Sequence, residues 1–168
     1  MKNIIIIGFM GVGKGRTARE LAARTARFAV DTDDLIESMA KMKIRNIFAE
    51  HGEAHFRELE LQAARWLEYH VTGTVVSTGG GFFQVKNINR LGRVVYLHSS
   101  VESILESMQA HPRARKKIKK RPLLKNMKAA RKLFNERLPR YRERADIEIL
   151  VENRTIPDIV TEIISTLR

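Results

Sequence analysis

Apolar residues in this chain fall into short unbroken runs separated by longer segments in which they recur every three or four positions. The first run, residues 4–7, is four isoleucines in a row, which predicts a strand buried on both faces. It passes through Gly8, Gly11 and Gly13 into an amphipathic helix carrying Leu21 and Ala22. Residues 27–30 predict a short second strand, ending at Asp31-Thr32-Asp33-Asp34, with Asp33 or Asp34 placed to cap a helix over 35–42. Residues 43–51 predict another short helix with Ile44, Ile47 and Phe48 on one face, and Gly52 interrupts it. A longer helix over 53–69 repeats Phe56, Leu59, Ala63, Trp66 and Leu67 at helical spacing, as core positions.

Further on, residues 74–77 and 94–97 predict two more buried strands, and 101–108 the helix after the second of them. A helix over 128–144, a fifth strand over 147–151 and a closing helix over 156–167 complete the chain. Strands alternating with helices of this length imply an α/β fold, a parallel sheet covered by helices on both faces. With 168 residues and 43% hydrophobic content, one well-buried core is expected and hence a single domain spanning 1–168.

Charge narrows the class of partner. Lysine and arginine total 31 against 19 acids, a formal net charge of +12, which favours anionic ligands. Seven of those positive charges lie in residues 113–121 with no acid among them, so the excess is concentrated in one segment. The chain has no cysteine, which excludes disulfides and thiolate metal sites. No apolar run reaches the ~20 residues that span a bilayer, and the apolar start is too short for a secretory signal, so no membrane partner and a cytoplasmic location are expected.

The chemistry begins at the first strand-to-helix turn. Glycines let backbone N–H groups turn inward, the helix N-terminus adds partial positive charge, and Lys14 can reach the β- and γ-phosphates of a nucleoside triphosphate. The spacing Gly8 to Gly13-Lys14 is that of G-x-x-x-x-G-K-[ST], but the last position fails. Gly15 stands where a Mg²⁺-binding hydroxyl belongs, Arg16 follows, and Thr17 lies a further ~100° round the helix. Asp31 and Asp33, two apart at a strand's carboxyl end, would face one way in an extended chain and flank a ligand crevice. Three glycines in a row at 79–81 exceed what a turn needs and suggest close approach of another body to the main chain. Arg57 and Glu60 can pair three apart on a helix, ordinarily a surface event of little energetic weight. His51 and His55 are not set in an H-E-x-x-H sequence, and Gly52 breaks the helix that would align them, so no metal is expected there.

Taken in order, Gly8-Phe-Met-Gly-Val-Gly-Lys14, Asp31-Thr-Asp33, Phe56-Arg57-x-x-Glu60, Ser77-Thr-Gly-Gly-Gly81, Arg121-Pro-Leu-Leu124 and Glu136-Arg137-x-x-x-Tyr141 resemble the motif series of shikimate kinases, from one end of the chain to the other. That resemblance implies a three-layer P-loop kinase fold with strand order 2-3-1-4-5 and a mobile lid over about 109–124. It also implies ATP- and Mg²⁺-dependent phosphorylation of the 3-hydroxyl of shikimate, on the route to chorismate and the aromatic amino acids. Carried onto this sequence, Gly11, Val12, Gly13, Lys14, Gly15 and Arg16 would cradle the nucleotide, and Asp31 would hold Mg²⁺ directly or through water. Asp33 would bind shikimate hydroxyls and accept the proton, Arg57 and Arg137 would clamp the carboxylate, and the backbone of Gly79, Gly80 and Gly81 would line the ring. Lys14 and Arg121 would neutralise charge on the transferring group, and Arg154 would pack on adenine.

Two rival readings differ in their partners: a kinase of the same architecture with another acceptor such as a nucleoside monophosphate or gluconate, and a degenerate P-loop protein that binds nucleic acid through its basic segment. The paired arginines and the three-glycine stretch argue against the first. No aromatic-rich surface strand points to nucleic acid, and a monomer is expected. At Gly15 the expectation is that water takes the missing hydroxyl's place beside Asp31, leaving activity with weakened metal binding.

Overall fold

A computed structural model describes residues 2–112, 118 and 122–167. Strand β1 (Asn3–Gly8) lies between β3 (Val75–Ser77) and β4 (Gly92–His98). β2 (Ala29–Asp31) flanks β3 and β5 (Ile147–Leu150) flanks β4, so the five strands run in the order β2-β3-β1-β4-β5, all parallel. Ile5 pairs with Val76 on one side and Val94 on the other.

The isoleucine run explains the layering. Successive strand residues point to opposite faces, and a strand with two covered faces needs apolar residues at every position. Ile5 and Ile7 join Ala64, Leu67, Tyr96, Phe134 and Tyr141, under α3 (Ile44–His70) and α6 (Met127–Arg144). Ile4 and Ile6 join Ala18, Leu21, Ile159, Val160 and Ile163, under α1 (Lys14–Arg24) and α7 (Ile156–Leu167). A third, smaller cluster of Ile36, Ile47, Phe56, Leu59 and Ala63 binds α2 (Thr32–Ala40) to α3, off the sheet. Also described are the helices α4 (Ile88–Leu91) and α5 (Val101–Gln109), with 3₁₀ turns at Phe82–Gln84 and Pro122–Lys125. None of the described helices is long and apolar enough to cross a membrane.

Two local expectations are corrected and one is met. Helix α2 starts at Thr32 rather than residue 35, and its N-cap is Asp31, whose Oδ1 accepts from the Asp33 amide at 2.9 Å. All four residues from 31 to 34 suit a helix start, and the short β2 lets the helix take the earliest of them. Asp31 and Asp33 therefore meet through a helix turn and not along an extended strand. Trp66 is 44% exposed rather than core, because it sits at the rim of the apolar stripe beside Leu35 and Met39. The expected interruption at Gly52 is present, since α3 kinks there with a non-helical φ of 80° and ψ of 174°.

Asn3 closes the edge of the central strand with its side chain. Its Nδ2 donates to the carbonyls of Val71 at 2.8 Å and Leu91 at 2.9 Å, and its Oδ1 accepts from the Thr74 amide at 3.0 Å, all with Asn3 buried. Asn3→Ala leaves two carbonyls and an amide short of partners. It should lower unfolding free energy by roughly 2–4 kcal/mol in urea titrations. An effect within experimental error would show that these groups find other partners.

Candidate active site

The turn after β1 is shaped by backbone that only glycine adopts easily. Gly11 and Gly13 have φ of 82° and 104°, and Gly13 is the N-cap of α1. A Cβ on Gly8 would stand 2.7 Å from the Leu97 carbonyl oxygen, so the strand's exit is pressed against β4. One on Gly11 would meet Met108 Sδ at 2.9 Å and Ile104 Cγ2 at 3.0 Å, so the loop leans on α5. Lys14 is buried, and its Nζ donates to the carbonyls of Gly8 at 2.8 Å and Phe9 at 3.0 Å. The ammonium is thereby held across the mouth of the loop. Val12 turns its side chain toward the core and contributes main chain to the loop.

This loop forms one wall of a cleft of about 520 Å³. Gly11, Gly13, Lys14, Gly15, Arg16 and Arg19 line it from the loop and α1, Asp31 and Asp33 from the β2–α2 junction, and Ser77 to Gly80 from the end of β3. Asp33 Oδ1 is buried without a hydrogen-bond partner and stands 2.7 Å from where a Cβ on Gly79 would be. Burial, followed by the neighbouring Asp31 charge, pushes the Asp33 carboxyl up to about 6, although Lys14 pulls the other way.

The glycine run is held from both sides. The Gly79 amide donates to Thr32 Oγ1 at 3.2 Å, Thr78 Oγ1 donates to the Ile6 carbonyl at 2.8 Å, and Gly80 O accepts from Tyr141 Oη at 2.6 Å and Arg137 Nη1 at 3.2 Å. A Cβ on Gly80 would lie 3.6 Å from both Arg137 Nη1 and the Met10 amide nitrogen, which ties the glycine run to the phosphate loop. On Gly81 it would collide with the Arg57 guanidinium, with Nη2 at 2.7 Å. Two arginines from different helices thus converge on three consecutive bare residues.

Arg57 corrects the surface-pair expectation. Its Nη1 donates to Glu60 at 2.6 Å, and Glu60 is 1% exposed, while Nη2 and Nε donate to Glu53 at 2.8 and 3.2 Å. Burial raises the Glu60 carboxyl even as the Arg57 hydrogen bond opposes the shift. Glu60 follows Phe56 by four residues and precedes Ala63 by three, inside the apolar stripe, and that spacing is the signal that it points inward. The ion pair consequently fixes the guanidinium beside Gly81.

Of the residues singled out from sequence, the structure gathers Gly11, Gly13, Lys14, Gly15, Arg16, Asp31, Asp33, Gly79 and Gly80 around the cleft, with Gly81, Arg57 and Arg137 adjoining. Arg154 is not among the cleft-lining residues. Its guanidinium is held by the Leu150 and Asp158 carbonyls and by Glu162. Arg121 and most of the 113–121 segment lie outside the described residues. Sequence reading passed over Thr32 and Tyr141 as anchors of the glycine run, and over Arg19, Ser107, Met108 and His111 as cleft residues. Arg19 alone had a readable signal, since it lies four residues after Gly15 on the same helix face.

Comparison with known proteins agrees with this geometry. The family model for shikimate kinase matches residues 10–168. The chain is 39% identical over 145 residues to the shikimate kinase of Helicobacter hepaticus, covering 86% of this chain and 84% of that one. It is 38% identical over 173 residues to the shikimate kinase of a Sulfurihydrogenibium species, covering 100% and 99%. The structure of shikimate kinase from Acinetobacter baumannii in complex with shikimate matches it with a TM-score of 0.86 at 30% identity, over 99% of this chain and 93% of that one. Matched in this way along nearly all of its length, the chain belongs to the shikimate kinase family.

Proposed function

We propose that residues 1–168 act as one kinase domain, monomeric, which transfers the γ-phosphoryl group of ATP to the 3-hydroxyl of shikimate. The observation that carries this reading is the unpartnered carboxylate oxygen of Asp33, buried beside Gly79 on a residue that lines the same cleft as Lys14. Such an oxygen suits a substrate hydroxyl that arrives as its missing donor.

Each residue then has a physical task. The loop amides from Gly11 to Gly15 and the start of α1 face the nucleotide phosphates, and Lys14, already aimed across the loop mouth, neutralises charge on the group in transit. Asp33 orients the attacking hydroxyl and takes its proton late, for which a carboxyl titrating near 6 is better matched to neutral pH than an ordinary aspartate. Arg57 spends three of its five N–H donors on Glu53 and Glu60 and keeps two for a substrate carboxylate. Arg137, across the glycine run, supplies the second fork. The bare backbone at Gly79 to Gly81 lets the ring approach. Arg16 borders the phosphate end of the cleft, and Arg121, outside the described residues, is assigned to the same charge. Arg154 would need to exchange Glu162 to pack on adenine.

Mg²⁺ prefers one or two carboxylates together with phosphate and water oxygens. Around the point where a Cβ on residue 15 would stand lie Asp31 Oδ2 at 4.0 Å and Ser77 Oγ at 3.8 Å, while Asp31 Oδ1 is occupied by the Asp33 amide. These residues fit an ion held by Asp31 with nucleotide and water completing its shell, and they do not fit one gripped by a loop hydroxyl. When bound, the ion would supply charge stabilisation to the β- and γ-phosphates.

The direct test is coupled detection of ADP with and without shikimate. Shikimate-dependent turnover is expected, and its absence in folded protein with MgATP would refute the reading. The Asp33 assignment predicts that kcat/KM for shikimate falls as pH drops through about 6, because the ionised form is the acceptor. Asp33→Asn should remove most of kcat while sparing ATP affinity. The same shift has a stability consequence. A carboxyl whose folded pKa is raised binds more protons in the folded state between about 4 and 6, so ligand-free stability should fall as pH rises across that window. Asp33→Asn should flatten this fall, recovering up to about 3 kcal/mol at pH 7. An unchanged pH profile in the variant would remove Asp33 from this role.

The arginine clamp predicts that Arg57→Ala and Arg137→Ala each raise KM for shikimate at least about tenfold, since losing a charge-assisted bond costs about 1.5–3 kcal/mol. Arg57→Ala should also lower thermal stability, because it leaves Glu60 buried and unpaired. Arg137 has no such buried partner among the described residues, so Arg137→Ala should be milder. Equal stability losses would contradict this account of the Arg57–Glu60 pair.

A further inference from the structure

Gly15 does more than delete a hydroxyl. Arg19 follows it by four residues, about 40° round the helix, and helical side chains lean toward the N-terminus over the preceding turn. Arg19 Nη1 accordingly reaches to 3.4 Å from the point where a Cβ on residue 15 would stand. Asp31 Oδ2 lies 4.0 Å from that same point, and no ion pair joins the two residues. Among the described residues the Arg19 guanidinium makes no hydrogen bond or ion pair, although it lines the cleft. Arg16 lines the cleft too, but it follows Gly15 by one position, about 100° away on the helix.

The charge pattern of α1 adds a second reason. The first turn carries no acid, while Lys14, Arg16 and Arg19 crowd cations into its opening turns. Cations there oppose the helix dipole and one another, an arrangement that a further anion beside them makes more favourable. A nucleotide triphosphate is such an anion.

We propose that Arg19 binds the nucleotide phosphates through the opening left by Gly15, supplying positive charge where a loop with serine or threonine would instead hold the metal by its hydroxyl. The assignment rests on reading the cleft as an ATP site. The planar guanidinium can fork onto two phosphate oxygens, which makes phosphate binding less dependent on the metal. Asp31 remains free to anchor a hydrated Mg²⁺ beside it.

Calorimetric titration of ATP into the full chain, once in EDTA and once with excess Mg²⁺, tests this without any turnover. The wild-type chain should bind metal-free ATP within about tenfold of its affinity for MgATP. Arg19→Ala should lose about tenfold or more in EDTA and distinctly less with Mg²⁺. Arg19→Lys should restore part of the loss, because a point charge replaces the fork. Arg65→Ala, which removes an equal charge from α3 away from the cleft, should change neither titration. Gly15→Ser places a hydroxyl beside Asp31 and crowds Arg19, so it should widen the gap between the two conditions. Equal EDTA affinities for wild type and Arg19→Ala would overturn the proposal. So would a gain in Mg²⁺-dependent affinity on removing Arg19, which would mean that the guanidinium merely competes for Asp31. Failure of the wild-type chain to bind ATP in either buffer would overturn the kinase reading along with it.

Discussion

The architecture of the cleft depends on three residues that have no side chains. Wherever a Cβ is placed on Gly79, Gly80 or Gly81, it meets a charged group or the phosphate loop: Asp33 Oδ1 at 2.7 Å, Arg137 Nη1 and the Met10 amide at 3.6 Å, and the Arg57 guanidinium. Charged side chains can close on bare main chain because nothing else fills the gap, and the main chain is kept from collapsing by hydrogen bonds from Tyr141 and to Thr32. Tyr141 is itself fixed by stacking on Tyr96 at 5.0 Å, and burial holds its hydroxyl up to about 12, where it stays a donor. The core of the sheet thereby extends, through one ring, to the wall of the site.

This arrangement carries a cost. Asp33 Oδ1 and Glu60 Oε1 are buried without partners, both near Gly79, and Asp33 adds the nearby charge of Asp31 to its desolvation. A domain with net stability of only about 5–15 kcal/mol carries such groups at the expense of its core. Here the expense is offset by a central strand buried on both faces and by Asn3, whose amide satisfies three backbone groups at once. The unpartnered carboxylates and the stabilising amide are separated in space, the former near the strands' carboxyl ends and Asn3 at the opposite end of β1.

The sheet was legible in the sequence because burial on two faces leaves a mark that needs no context: four isoleucines in a row allow few alternatives. The phosphate loop and the glycine run were legible because glycine is demanded by backbone geometry and close approach. The start of α2 was not, since four consecutive residues can each begin a helix and the choice depends on where β2 stops pairing with β3. Nor was the exposure of Trp66, which depends on what α2 places beside α3. Glu60 was misjudged by treating its pairing with Arg57 as a question of charge alone, when its place in the apolar stripe already turned it inward. Arg19 was overlooked because its position matters only once residue 15 is seen as a space rather than as a missing ligand.

The strand order explains why donor and acceptor chemistry meet where they do. β1 delivers the phosphate loop, β2 the two aspartates and β3 the glycine run, and in the order β2-β3-β1 these three carboxyl ends are neighbours. α1 sets its cations beside the loop on one face of the sheet, while α3 and α6 bring Arg57 and Arg137 to the glycine run from the other. The two groups of positive charge thus approach the cleft from different helices, on either side of Gly79 and Gly80. Phosphoryl transfer draws its rate chiefly from positioning and charge, with little covalent work for the protein to do. A parallel sheet that ends three adjacent strands at one edge gathers these groups there without requiring any side chain to reach far from its own element.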